Sequence, residues 1–315
     1  MIKSPQKKAV GKSHSKLILV GEHAVVYGKP AIALPFSLLE VKSIVVPSHD
    51  EITIASDYYQ GRLIDLPTKL QGLGVCIEAT LKTLQLPLKG VHIEICSTIP
   101  IGRGLGSSAA IAIALVRSLF SFAGRVVSQE ELMRLVHIAE TYAHGRPSGI
   151  DMACASSDSP IWFQKEKPVE PIQIRKPLFF VVADTGRIGD THAAVEGVRE
   201  KYETNRVQTE QAINQLEEIT RETREALSKG DLDLLGKLLD LAQGELVELG
   251  VSDVGLNHLV NTARIKGALG AKLTGGGRGG CMLALARDEK HAKILADALM
   301  KAGAYATWPF ILDEK

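Results

Sequence analysis

Residues 100–110 read PIGRGLGSSAA, and the chain runs from them straight into IAIALVRSLFSFAG at 111–124. Five of the eleven residues are Gly or Ser, and the stretch ahead of them, GVHIEICS (90–97), alternates as a half-buried strand does. Strand, glycine-rich loop and apolar helix in that order form the geometry of an anion cradle. Glycines let the backbone approach a phosphate, successive N–H groups point at it, and the helix N-terminus adds partial positive charge. Familiar glycine motifs fit poorly. A Walker A loop needs Lys after its last Gly, where Ser107 and Ser108 stand. A dinucleotide fingerprint needs an acidic residue some twenty positions on, and 107–128 holds none. A plain strand-to-helix turn that packs closely is the alternative.

The whole chain, at 315 residues and 45% hydrophobic content, can bury one large core or two medium ones. Lys and Arg number 37 against 36 Asp and Glu, so the basic excess of a nucleic-acid binder is missing. Cys76, Cys96, Cys154 and Cys281 are scattered among apolar or small residues with no paired spacing, which predicts buried, reduced thiols rather than a disulfide or zinc framework. MIKSPQKKAVGKSHSK at 1–16 has no apolar h-region, and Arg117 interrupts the longest apolar run, Ala109 to Ala123. No signal peptide, membrane span or membrane partner is predicted, and the location expected is the cytoplasm.

Around the loop the pattern is mixed. KLILVGEHAVVYG (16–28), PAIALPF (30–36), LEVKSIVVP (39–47) and DEITIASD (50–57) read as strands, the first starting at Lys16. LQGLGVCIEATLKTLQL (70–86) has helical spacing, and helix dominates from Ala109 to about His144, with Ser128 and Glu131 as a capping box. A second block follows: strand PLFFVVADTG (177–186), helical periodicity from His192 to Gly230, helices at 231–249 and 254–269, strand CMLALA (281–286), helix 289–302 and strand AYATWPFIL (304–312). FQKEKPVEPIQIRKP (163–177) is the best boundary. The class is α+β in two lobes, 1–176 with the phosphate loop and 177–315 with a further glycine-rich loop.

Three more stretches invite chemistry. In AETYAHGRPSGIDMA (139–153), Glu140 and Asp151 flank a rigid turn. Such a pair can divide phosphoryl transfer, one holding Mg²⁺ and the other taking a hydroxyl proton; a surface glutamate and a helix cap would look the same. AKLTGGGRGGCMLALA (271–286) packs five glycines into 275–280, a density that points to close approach by a ligand or another backbone. Gly21-Glu22-His23 interrupts an apolar run and is either a turn or a ligand surface.

Together and in this order, the four segments resemble the superfamily of galactokinase, homoserine kinase, mevalonate kinase and phosphomevalonate kinase. GEHAVVYGKPAIA (21–33), HGRPSGID (144–151) and DTGRIGDTHAAVEGVR (184–199) are most similar to its mevalonate kinase branch, and the resemblance runs from Lys16 to Gly280. It implies a lobe like ribosomal protein S5 domain 2 followed by a ferredoxin-like lobe, with ATP and Mg²⁺ as cofactors. It further implies that Pro100, Gly102, Gly104, Leu105, Gly106, Ser107, Ser108 and Ala109 wrap ATP, with Thr274, Gly275, Gly276 and Gly277 closing the phosphate site. Ser108 and Glu140 would ligate Mg²⁺. Asp151 would face the acceptor hydroxyl as base with Lys16 beside it, and Glu22, His23 and Thr191 would line a mevalonate pocket. A homodimer and feedback by prenyl diphosphates are further implications.

Three positions depart from the pattern: Ser13-His14-Ser15 replaces Ala-Pro-Gly, Arg146 replaces Asn or Lys, and Arg278 replaces a small residue. The nearest rival is a sibling kinase acting on phosphomevalonate or another small alcohol; a phosphorylated acceptor would need extra cations near Glu22 and His23, where Lys29 is the main candidate. A non-catalytic sensor on the same fold would lose Lys16, Ser108, Glu140 or Asp151, and all four are present.

Overall fold

A computed structural model describes residues 8–145 and 147–313. Arg146 and the first seven residues of the stretch read for a leader lie outside the described residues. The chain divides into two compact units, neither continuous in sequence. One takes the chain through Ser15, then Leu39–Pro100 and Gly106–Ser156; the other takes Lys16–Leu38, Ile101–Leu105 and the chain from Ser157 onward.

Two long strands open the chain, β1 (Ala9–Val20) and β2 (Ala31–Pro47), which pair with each other. The rest of the first unit comprises β3 (Thr53–Ser56), β4 (Tyr59–Arg62), α1 (Gln71–Thr83), β5 (Val91–Ser97), α2 (Ser107–Phe122), α3 (Gln129–His144) and α4 (Ile150–Ala155). The strands lie in the order β4-β3-β5-β2, with β3 parallel to β5. α2 is buried on most faces because its sequence is mainly alanine, branched apolar residues and phenylalanine, with four serines and one arginine. Arg117 escapes the core by donating from Nη1 to the Lys12 carbonyl, 2.8 Å away. Ser128 caps α3 by accepting from the Glu131 N–H, as its spacing predicts.

The second unit holds β6 (Ile161–Phe163), β7 (Glu170–Pro171), β8 (Leu178–Asp184), α5 (Thr191–Thr204), α6 (Arg206–Lys229), α7 (Leu232–Glu248), α8 (Val254–Ile265), β9 (Gly270–Thr274), β10 (Cys281–Ala286), α9 (Glu289–Lys301) and β11 (Ala306–Leu312). An antiparallel sheet runs β11-β8-β10-β9. Aspartates 190, 231, 253 and 288 cap α5, α7, α8 and α9. Phe36 of β2 packs against Phe310, which stacks on Phe180.

The α+β class is borne out; several local expectations are corrected. β1 begins at Ala9, so Lys16 sits inside a strand rather than at its start. The strands expected on either side of Leu38 are one strand, β2, passing through Pro35. Proline has no N–H for a ladder, and Pro35 falls between the segment paired with β6 (Ala31–Ala33) and that paired with β5 (Val41–Pro47). The helical run from His192 to Gly230 breaks at Asn205 into α5 and α6. Cys76, Cys154 and Cys281 are buried, but Cys96 is exposed, because alternation along β5 turns it outward beside Glu94. All four are free thiols. Burial pushes the Cys76 thiol up to about 12 and the Cys281 thiol well above its ordinary value. No described helix is long and apolar enough to cross a membrane.

Candidate active site

The first unit carries the helix that opens the phosphate loop and both candidate carboxylates. Gly106 is the N-cap of α2, in left-handed conformation and without a side-chain cap. Helix first turns leave backbone N–H groups outside the ladder, and here no acidic residue occupies the first turn to neutralise them. The Ser107 Oγ is buried with no hydrogen-bond partner among the described residues, while Ser108, one position on, is exposed. α4 repeats the device: Gly149, left-handed and uncapped, precedes Ile150 and Asp151. Asp151 therefore lies in the first turn and is not the cap. Glu140 is buried in α3, 3% exposed, rather than on a helix surface.

Among the described residues no cluster of three or more His, Cys, Asp or Glu side chains could hold a metal by itself. Mg²⁺ keeps several waters and typically takes one or two protein ligands plus substrate phosphates. A buried carboxylate on α3 and hydroxyls at an uncapped helix start suit a metal that arrives with a nucleotide.

In the second unit residues 101–105 of the first glycine loop meet the glycine loop at 275–280, the third loop below, backbone to backbone. A Cβ on Gly275 would lie 2.9 Å from both the Cα and carbonyl oxygen of Gly104, a distance real Cβ atoms do not adopt. The Lys16 N–H donates to the Leu105 carbonyl at 3.2 Å, and the Gly189 N–H to the Gly102 carbonyl at 2.8 Å. Arg103, which the sequence reading passes over, anchors this loop. Its Nε donates to Asp184 Oδ2 at 2.9 Å and its Nη2 to the Gly186 carbonyl at 2.9 Å. Asp184 is fully buried at the end of β8 and also accepts the Gly186 N–H.

Around Gly276 the expected acceptor residues converge. His23 Nε2 lies 2.9 Å from the Gly276 carbonyl. A Cβ on Gly276 would strike Thr191 Oγ1 at 2.5 Å, so α5 begins against the same loop. Glu22, 1% exposed, pairs with Lys272 of β9, 0% exposed. The Thr274 hydroxyl bridges both backbone groups of Ile18, at 3.0 and 2.9 Å, tying β9 to β1. Burial pulls His23 down to about 4, opposed by its bond to Gly276. The imidazole is thus neutral at physiological pH, with Nε2–H as the donor. Burial also pushes the Glu22 carboxyl up, against the attraction of Lys272 and Lys16. Arg278 is exposed but engaged with the backbone: its Nη1 donates to the Ala193 carbonyl at 2.9 Å and its Nε to the Gly250 carbonyl.

Residues 72–158 match the GHMP kinases N terminal domain and residues 223–305 the GHMP kinases C terminal domain. Mevalonate kinase from Thermococcus gammatolerans is 36% identical over 94% of each chain, and that from Pyrococcus horikoshii 36% identical over 94% of this chain and 93% of its own. The chain belongs to the mevalonate kinase family of GHMP kinases. The solved structure of L. major mevalonate kinase in complex with R-mevalonate covers 99% of both chains with a TM-score of 0.86 and 27% identity. Membership makes this GHMP kinase an ATP-dependent phosphotransferase acting on an alcohol. The sequence singles out the glycine loops, Glu22 and His23, but gives no role to Arg103 and Lys272, which the structure pairs with Asp184 and Glu22. Arg103 was visible as a charged residue inside a phosphate-type loop; Lys272 resembles any strand lysine until its partner, 250 positions away, is known.

Proposed function

We propose that the chain transfers the γ-phosphoryl group of ATP to the 5-hydroxyl of mevalonate, giving 5-phosphomevalonate and ADP. Residues 100–109 would cradle the phosphates together with Thr274–Gly277, and the two glycine N-caps leave room for anionic groups at backbone N–H donors. Ser108 and Glu140 would hold Mg²⁺, which when bound neutralises charge on the phosphates. Asp151 would accept the proton of the acceptor hydroxyl, and the Lys16 ammonium would stabilise the developing alkoxide. Glu22, His23 and Thr191 would shape the acceptor wall. Residues 1–176 would then supply most of the catalytic groups, and 177–315 the third glycine loop.

One observation carries the acceptor assignment: the wall around Glu22 and His23 is polar, but its nearby surface cation is already engaged. Lys29 Nζ lies 2.7 Å from Glu217. A phosphorylated acceptor would find that cation already committed, which favours mevalonate over phosphomevalonate. The family resemblance brings with it a cytoplasmic homodimer inhibited by prenyl diphosphates competing with ATP; sedimentation and competition against ATP test these.

The deciding experiment compares kcat/KM on mevalonate, phosphomevalonate, galactose and homoserine with ATP and Mg²⁺, with Asp151→Asn beside the wild type. Turnover on mevalonate that collapses by about 10³-fold or more in the variant supports both substrate and site. Preference for another alcohol moves the acceptor. Nucleotide binding without turnover on any of them overturns the enzymatic reading.

A further inference from the structure

Lysine is almost never fully buried unless paired. Lys272 lies within β9, a strand buried along its whole length, with its side chain out of contact with solvent. Its ammonium donates to Glu22 Oε1 and, at 2.5 Å, to the Leu273 carbonyl. The second Glu22 oxygen, Oε2, is equally buried and has no hydrogen-bond partner among the described residues. One carboxylate oxygen is therefore secured and the other held open. An unsatisfied buried carboxylate oxygen is costly to keep, so its retention calls for a ligand.

The surroundings fix this carboxylate in place. The Ala24 N–H donates to the Glu22 carbonyl at 2.6 Å across His23, whose φ of 60° and ψ of −45° describe a γ-turn with positive φ. That turn is rare and strained, and the His23–Gly276 bond holds it closed. β9 is itself pinned on both sides of Lys272: the Leu273 N–H donates to Gln243 Oε1 at 2.8 Å, and the Ala271 N–H to Asp240 Oδ1 at 2.9 Å. The charged groups acting on Glu22 are Lys272 from β9 and Lys16 from β1; its neighbour His23 is neutral and faces Arg278 of the third loop.

We propose that Lys272 is a positioning residue for the acceptor. It holds Glu22 ionised in a single orientation, so that Oε2 accepts a hydrogen bond from an acceptor hydroxyl. This assignment rests on the mevalonate reading above. Lys272 does not touch the substrate; it acts through Glu22. Without it, Glu22 retains only Lys16 against the cost of burial and takes up a proton. A carboxylic acid would then offer a donor where an acceptor is needed.

Steady-state kinetics on mevalonate between about pH 6 and 9, for the wild type, Lys272→Met, Glu22→Gln and the double variant, test the assignment. Lys272→Met is expected to raise KM for mevalonate about 10- to 100-fold, with kcat and KM for ATP little changed. That KM falls back toward the wild-type value as pH rises and Glu22 ionises. Glu22→Gln and the double variant should share one raised, pH-independent KM, because Lys272 acts only through Glu22. A folded Lys272→Met with wild-type KM at every pH overturns the assignment. Where Lys272→Met does not fold, Glu22→Gln and the double variant decide together, the latter burying no unpaired charge: one shared, raised, pH-flat KM supports the assignment, and a wild-type KM in either, or a KM that changes when Lys272 is removed from the Glu22→Gln background, refutes it. A wild type with no turnover on mevalonate fails at the substrate reading instead, which separates the two.

Discussion

Replacing Arg103 with Met should unfasten the phosphate loop at a known cost. The side chain is 13% exposed and its partner Asp184 1%, so the pair is buried and surface screening does little to it. Methionine retains most of the aliphatic volume but removes both guanidinium donors. Asp184 is left with the Gly186 N–H, 2.8 Å from Oδ1, and no countercharge in direct contact among the described residues. Removing one member of a buried pair costs about 3–5 kcal/mol, most of it from the charge left behind. In a unit of this size that corresponds to a fall in Tm of about 6–20 °C. Asp184→Asn in the same background removes the stranded charge while leaving an oxygen for Gly186, so the double variant should recover at least about 1.5 kcal/mol relative to Arg103→Met. Urea unfolding followed by fluorescence of Trp162 and Trp308 reads both differences, and KM for ATP should rise alongside as residues 102–105 lose their anchor. A midpoint for Arg103→Met within about 0.5 kcal/mol of wild type refutes the buried-pair reasoning, as does a double variant no more stable than the single.

Gly275→Ala should act on nucleotide more than on fold, because its Cβ would press 2.9 Å from the Gly104 backbone and force the two loops apart. KM for ATP is expected to rise at least about 10-fold with KM for mevalonate nearly unchanged; equal effects on both would point to general unfolding. His23 sets a pH dependence of stability. Its folded value of about 4 lies below the ordinary 6.5, so between these pH values the unfolded chain binds a proton that the folded chain does not. Stability should fall on acidification through that window by up to about 3 kcal/mol, and His23→Asn should flatten this slope. An unchanged slope in the variant, measured by urea midpoints at each pH, rejects the buried neutral imidazole.

Much of this was legible in the linear sequence because glycine and hydroxyl residues are chosen locally. The loop at 100–110 is small, glycine-rich and left-handed at Gly102, Gly104 and Gly106, and its residues declare that without reference to the fold. Glu140 and Asp151 were visible as candidates, but their alternative as surface glutamate and cap could be settled only by burial and by Gly149 taking the cap position. Long-range pairing is what the sequence conceals. Lys272 and Glu22 select each other across the chain, Arg103 finds Asp184 eighty-one positions on, and nothing local to any of them signals burial. Pro35 misled for the opposite reason: its effect on β2 depends on which neighbouring strand needs its missing N–H, a fact of topology rather than composition.

Gly102, Arg103, Gly104 and Leu105 group with residues from 157 onward rather than with the helix they introduce. Lys16 apart, their supports, Asp184, Gly186, Gly189 and Gly275, come later in the chain. On the ribosome, then, the loop emerges well before the residues that shape it. A chain truncated after Lys176 contains every glycine of the loop and none of those four supports. Competence to bind nucleotide should appear during synthesis only after the turn at 275–280 has been made, a late arrival for a motif written in the first third of the sequence.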